Sequence, residues 1–394
     1  MSLTSSRFSP RTVIVVLMIC AFSIGTTEYV VTGVLTHIAG DLHVTIASAG
    51  LVVSMYALGV AVFGPLMTTL SVKLPRKPML LMFMVVFIGS NIVSATAPNF
   101  SVLLISRVAS AFMHGPFFAL AFVMASELVE PRKRVQAIAA VNGGLTIAIM
   151  IGVPFGAYLG SLIEWRLVFW LIALLGLAGL VGLFICAPNT KPAETPRIKQ
   201  ELSVFKHKQV LLTIAIIIFG YSGVFTAYTF IEPLLRTVTG FGGIGIMISL
   251  FFFGMGSVIG NFSTPRLAGG NVTKTLIYVF TTLTIILLLF PLATQYAVTA
   301  VFIIGLFGAG AFGTTPLLQS KIVMAAKEGP TIAAAASVSA FNLANAAGAY
   351  LGGIILDANL GYSWLVICGA VISVIGILLS ALSYHEEKKE QKLA

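Results

Sequence analysis

Twelve apolar runs of about 20 residues or more, separated by short polar gaps, constrain this chain more than any other feature. Each is long enough to cross a hydrocarbon core of roughly 30 Å as a helix. The runs fall at 12–36, 46–72, 78–97, 101–126, 135–163, 165–187, 209–235, 243–266, 273–294, 296–320, 331–356 and 362–384. Lipid offers the backbone no hydrogen-bond partner, so a spanning segment must be a helix or a strand of a closed barrel, and these runs are too long for strands. The expectation is an all-α polytopic membrane protein with twelve transmembrane helices in two six-helix pseudo-symmetric bundles. A content of 58% hydrophobic and only 9% charged residues points the same way.

Basic residues divide unevenly between the gaps. If the N-terminus faces the cytoplasm, 20 of the 23 Lys and Arg residues lie in or next to cytoplasmic segments, 2 (Arg166 and Arg236) lie at outer ones, and Arg107 alone stands away from the ends of a run. Retention of basic residues on the inner side then predicts both termini in the cytoplasm of a cell inner (plasma) membrane. The net charge of +10 is thereby a topology signal facing anionic lipid, and no nucleic-acid partner is expected. The first run lacks a small-residue cleavage site and is expected to stay as the first span. Cys20, Cys186 and Cys368 lie in or at the ends of runs without metal-ligand spacing and read as small buried hydrophobes.

The gap at 188–208 is the longest, polar and proline-containing, and leaves six runs on either side. It predicts an N-terminal bundle over 1–187, a cytoplasmic linker over 188–208 and a C-terminal bundle over 209–394. Gly156-Ala157-Tyr158-Leu159-Gly160 in run five recurs as Gly348-Ala349-Tyr350-Leu351-Gly352 in run eleven, as a duplicated six-helix unit would show.

Several segments carry a family resemblance. They are Thr27-Glu28-Tyr29-Val30-Val31-Thr32-Gly33-Val34-Leu35 continuing through Ile38-Ala39-Gly40-Asp41-Leu42, Ser106-Arg107-Val108-Ala109-Ser110-Ala111, and Gly152-Val153-Pro154-Phe155-Gly156. Trp165-Arg166 with Phe169, and Tyr228-Thr229-Phe230-Ile231-Glu232-Pro233, complete the set. Over all twelve runs the chain resembles the major facilitator superfamily, and within it the drug:proton antiporter group of sugar-efflux, arabinose-efflux-like and purine-efflux permeases. The resemblance implies a monomeric transporter whose first, fourth, seventh and tenth helices line a central cavity. One departure stands out. Between runs two and three the family carries Gly and Asp beside a basic cluster, whereas here Thr68 and Pro75 replace the glycines and Val72 the acid. Arg76 and Lys77 are then expected to cap helix C-termini in place of that latch.

A charge at mid-bilayer costs about 2.5–3.5 kcal/mol or more, so it normally faces a cavity or a partner. At about 1.5 Å per residue, Glu28 lies roughly 24 Å along run one, and Arg107 roughly 9 Å into run four from the opposite side, so the two charges could meet. Either they form a static buried pair, or Glu28 exchanges a proton during a cycle with Arg107 and His114 as neighbours. Tyr221, Phe225, Tyr228 and Glu232 share a face of run seven at four-three-four spacing, which suits a cationic ligand but also simple interhelical packing. Asn142, Gln319 and Asn342 offer hydrogen bonds suited to a sugar, while Asn345 reads as interhelical glue.

No GxxxxGK[ST] loop, nucleophile constellation or metal cluster is apparent, so neither an ATP-driven pump, an enzyme nor a cofactor is expected. The leading expectation is a proton-coupled exporter of a small organic compound. A facilitator or uptake carrier comes second, and a non-transporting membrane sensor third.

Overall fold

The computed structural model describes residues 8–71, 74–189, 205–268, 271–326 and 330–393. Among these, twelve helices are long and apolar enough to cross a membrane: Pro10–Gly33, Ile46–Ser71, Arg76–Ala95, Phe100–Glu127, Pro131–Leu162, Trp165–Cys186, Lys208–Tyr228, Gly243–Leu267, Val272–Ala293, Ala297–Ala325, Ala333–Asp357 and Tyr362–Lys389. They are numbered here as spans one to twelve. The expected all-α, twelve-span architecture is therefore present, with most boundaries within about a turn and span seven ending about two turns early, at Tyr228. Most of the expected linker, residues 190–204, lies outside the described residues.

Local chemistry sets several helix starts. Ser9 caps span one by accepting from the Thr12 amide at 3.3 Å, with Pro10 in the first turn, where its missing N–H leaves no bond unmade. Asn99 caps span four through the Val102 amide at 3.0 Å, and Asn271 caps span nine through the Lys274 amide at 2.8 Å. The helices also break where the site is built. Span one tightens into a 3₁₀ turn at Val30–Gly33 and continues as a short helix, Leu35–Asp41. Span five contains a π segment at Ala148–Gly152, two residues ahead of Pro154, and span seven one at Ile216–Gly220. Span seven ends at Tyr228; a short helix, Ile231–Leu234, and a further π segment, Leu235–Thr239, follow. Proline and π insertions are among the few causes of such interruptions, and both occur at functional positions in helices.

The two Gly-Ala-Tyr-Leu-Gly segments pack alike. A Cβ on Gly156 would lie 2.3 Å from Val30 Cγ2 of span one, and a Cβ on Gly348 would lie 2.2 Å from the Ser222 carbonyl of span seven. Gly160 and Gly352 repeat the relationship one turn on, against Val34 and Phe230. Each pair of glycines thus lets span five ride against span one, and span eleven against span seven, at a separation no larger residue permits.

Span two packs on span eleven, and span five on span eight, which brings the first six spans against the last six. An even number of spans places Pro10 and the end of span twelve at one end of the bundle, the terminal end; Asp41 and Glu232 lie at the far end. Ion pairs at the terminal end join residues within one set of six: Arg76 with Glu127, Lys321 with Glu387, and Lys208 with Glu386 at 2.9 Å.

Two expectations are corrected here. Arg107 is not alone within the spans, because span ten runs on to Ala325 and encloses Lys321, which is 4% exposed and bound to Glu387 and to Thr273 Oγ1. Arg76 and Lys77 do not act as C-terminal caps. The Arg76 guanidinium pairs with the Glu127 carboxylate at the end of span four, where an ionised partner outcompetes a neutral carbonyl, and Lys77 lies over the Phe184 ring.

Candidate functional site

Five polar contacts link spans one to four over about two turns of span four. Thr27 Oγ1 donates to Asn91 Oδ1 at 2.5 Å, and the Asn91 amide group is aimed by its own bond to the Phe87 carbonyl at 2.8 Å. Arg107 Nη1 donates to Thr27 Oγ1 at 3.5 Å, and its guanidinium carbon lies 4.2 Å from the Tyr56 ring centre. Tyr56 Oη is 2.8 Å from His114 Nδ1, and His114 Nε2 is 3.9 Å from Glu28 Oε2. Glu28, Arg107 and His114 are all buried, with Arg107 only 1% exposed.

The three residues expected to handle protons therefore come together, but not as the depth arithmetic suggested. Glu28 and Arg107 are not in ion-pair contact. The carboxylate faces the imidazole, while the cation rests on an aromatic face with its Nε and Nη2 lacking hydrogen-bond partners. A desolvated cation–π contact is worth about 2 kcal/mol or more, which offsets part of the cost of burying the guanidinium. Tyr56 connects the two and was invisible to sequence reasoning, since a lone tyrosine in an apolar run has no spacing signal.

The aromatic face of span seven is buried between Tyr29 of the first six spans and rings of its own set of six. The Tyr29 ring, next to Glu28, lies 6.5 Å from each of Phe225, Tyr228 and Phe312, and Tyr228 stacks on Phe253 at 4.3 Å. Tyr221 meets Phe341 edge-on at 5.0 Å. The Tyr228 hydroxyl is buried beside Thr32 of span one. Among the neutral candidates, Asn142 and Gln319 are exposed, whereas Asn342 is buried and donates to the Val338 carbonyl at 3.0 Å, leaving its Oδ1 unpartnered. Asn345 is buried with an unpartnered Oδ1, so that oxygen supplies no interhelical bond.

Glu232 stands apart from that face, because the helix break after Tyr228 re-aims it. It is fully buried and accepts from the Thr36 amide at 3.0 Å, from Thr36 Oγ1 at 2.7 Å and from Arg236 Nε at 2.7 Å. The carboxylate thereby ties the short helix Leu35–Asp41 to the segment after span seven. His37, the next residue, is pushed below the ordinary imidazole value mainly by burial, with Arg236 adding to the shift and Glu232 opposing it. On the other side of the short helix, Asp41 accepts from Trp165 Nε1 at 3.2 Å and from Arg166 Nη1, and Arg166 also donates to the Ala97 carbonyl at 3.0 Å.

A twelve-span bundle with interrupted helices, and with buried charges at the breaks, has the build of a membrane transport protein. The chain belongs to the Major Facilitator Superfamily, whose family model matches residues 17–339. It is 54% identical over 381 residues to the uncharacterized MFS-type transporter YfhI of Bacillus subtilis, covering 97% of this chain and 96% of that one. It is 36% identical over 371 residues to the inner membrane transport protein YdhP of Escherichia coli K12, covering 94% and 95%. Among solved structures, a bacterial homolog of the human lysosomal transporter Spinster superposes with a TM-score of 0.76 at 14% identity, covering 96% of this chain and 98% of that one. The protein is accordingly a multi-pass secondary transporter of small molecules and not an enzyme.

Proposed function

We propose that the protein exports a small organic compound in exchange for protons by alternating access, with 1–187 and 209–394 rocking as two six-helix units about a central site. In this reading both termini lie in the cytoplasm and the far end faces outward. The bond from Thr36 to Glu232 and the packing of Tyr29 on Phe225 and Tyr228 close the outer side, so the structure corresponds to a form from which substrate is taken up inside.

The observation that carries the reading is the position of Glu28. A buried carboxyl group 3.9 Å from an imidazole, not held by the nearby guanidinium, is placed to carry a proton in one state and release it in another. Arg107 keeps Tyr56 and hence His114 in place, and the aromatic cluster around Tyr29 couples that pocket to span seven, where Tyr221, Phe225 and Tyr228 meet the substrate. Export is supported by a further relative, named a probable sugar efflux transporter of Helicobacter pylori, at 29% identity over 370 residues. The exposed Asn142 and Gln319 suit a hydroxyl-bearing ligand; the rings of span seven suit a drug-like one.

The test is transport by reconstituted protein under an imposed pH gradient, with a panel of sugars and lipophilic cations. Acid outside should drive substrate out against its gradient, and Glu28→Gln should abolish that while leaving passive exchange. Active accumulation by the Glu28→Gln protein would remove Glu28 from the coupling. Gradient-independent movement by the unaltered protein would favour a facilitator.

A further inference from the structure

Outside the transport pathway, spans eight, nine and ten enclose a groove of about 610 Å³ near the terminal end. It is two-faced along its length. Ser263, Asn271, Lys274, Thr275 and Tyr278 line it toward the terminal end, while Val279, Ile286, Leu306, Ala309 and Gly310 line it deeper in the bundle. From Lys274 to Ile286 the helix advances about 18 Å, close to the depth of one leaflet of a 30 Å core. The floor is low because spans eight and ten touch backbone to backbone: a Cβ on Gly260 would lie 2.1 Å from the Ala309 carbonyl. The walls stand exposed, with Tyr278 at 60% and Leu306 at 55%.

The cation at the mouth carries the choice of occupant. Lys274 lies with its Nζ 5.9 Å from the Tyr278 ring centre, and among the described residues it has no ion-pair partner. By contrast, Lys321, buried near the same end of the bundle, is bound to Glu387 and Thr273. A lysine available at headgroup depth, beside hydroxyl and amide groups and above an apolar slot one leaflet deep, matches an amphiphile with a phosphate at one end and an acyl chain at the other.

We propose that this groove seats one anionic phospholipid, its phosphate against the Lys274 ammonium and the Asn271 side-chain N–H2 and one acyl chain along Val279, Ile286 and Leu306. A zwitterionic lipid presents the same phosphate with a cation beside it, so Lys274 discriminates against it. The site is independent of the proton-coupling reading, since none of its residues belongs to the cluster of spans one to four.

Native mass spectrometry of the purified full-length protein, titrated with phosphatidylglycerol or phosphatidylcholine, tests the proposal. One phosphatidylglycerol should be retained with about fivefold preference, the factor that roughly one basic contact supplies near an anionic headgroup. Lys274→Gln should bring the ratio to about one, and Thr282→Trp, on the exposed wall, should reduce retention of both lipids by obstructing the slot. Soluble glycerol phosphate should not compete. Equal retention of the two lipids by the unaltered protein, an unchanged ratio in Lys274→Gln, or full competition by glycerol phosphate would each overturn the assignment.

Discussion

The ring of Tyr56 lies beneath the guanidinium of Arg107, 4.2 Å from its central carbon, and its hydroxyl reaches on to His114. One side chain therefore performs two separable tasks. Tyr56→Phe keeps the aromatic face and deletes only the hydroxyl, leaving His114 Nδ1 buried without a partner at a cost of about 1–3 kcal/mol. Tyr56→Leu removes the face as well, adding about 2 kcal/mol. Thermal unfolding in detergent should rank unaltered protein, Phe variant and Leu variant in that order, and equal losses in the two variants would show that the ring does not hold Arg107.

Arg107→Lys retains the charge but not the flat delocalised ion that stacks on a ring. It is expected to lose most of the transport rate while keeping the protein in the membrane. Arg107→Met, which abolishes a buried cation with two unpartnered N–H positions, should be at least as stable to heat as Arg107→Lys. A melting temperature several degrees lower for the Met variant would contradict this.

Removing the carboxylate at Glu232 strips acceptors from the Thr36 amide, the Thr36 hydroxyl and Arg236 together. At about 1–3 kcal/mol per buried group left unsatisfied, Glu232→Ala should shift the population toward a form open at the far end by tenfold or more. Spin labels at positions 43 and 238 would report the change as a longer distance distribution. An unchanged distribution would mean that packing alone closes that end.

Acid should weaken the same region through His37. Its folded value lies below the ordinary imidazole value of about 6.5, so the unfolded chain binds more proton in the window between the two. The contribution of His37 is fully present above pH 6.5 and is lost as pH falls through the folded value. Melting temperatures at pH 7.5 and pH 5 should therefore differ more for the unaltered protein than for His37→Gln, and equal differences would remove His37 as the cause.

The spans were legible because a hydrophobic run of 20 residues has one structural outcome in lipid, and the paired glycine segments marked spans five and eleven as equivalents, though not what they pack against. The site was legible only in part, for geometric reasons. Rise per residue gives the depth of Glu28 and Arg107, but not the rotation of their helices, and rotation decides that the one faces His114 and the other Tyr56. Span seven failed for a related reason. The helix stops at Tyr228, and a turn at Thr229 and Phe230 intervenes before Glu232, so a spacing that keeps Tyr221 to Tyr228 in phase does not carry across to it. Thr36 was missed because it binds partly through its backbone, which leaves no mark in a sequence. Lys321 was placed outside the membrane because the end of span ten was drawn one turn short.

That backbone contact makes the far-end closure unequal in its tolerance of mutation. On one side it asks only for an amide N–H at position 36, which every residue but proline supplies, with the hydroxyl as an addition. On the other it asks for a carboxylate of a particular length at position 232, answering Thr36 and Arg236 at once. Substitutions drifting through the short helix would leave the amide bond standing, whereas a change at Glu232 removes every hydrogen bond of the closure in a single step and leaves only the ring packing of Tyr29. The protein thus concentrates the polar part of its far-end seal in one side chain of the last six spans, and leaves the facing surface free to vary.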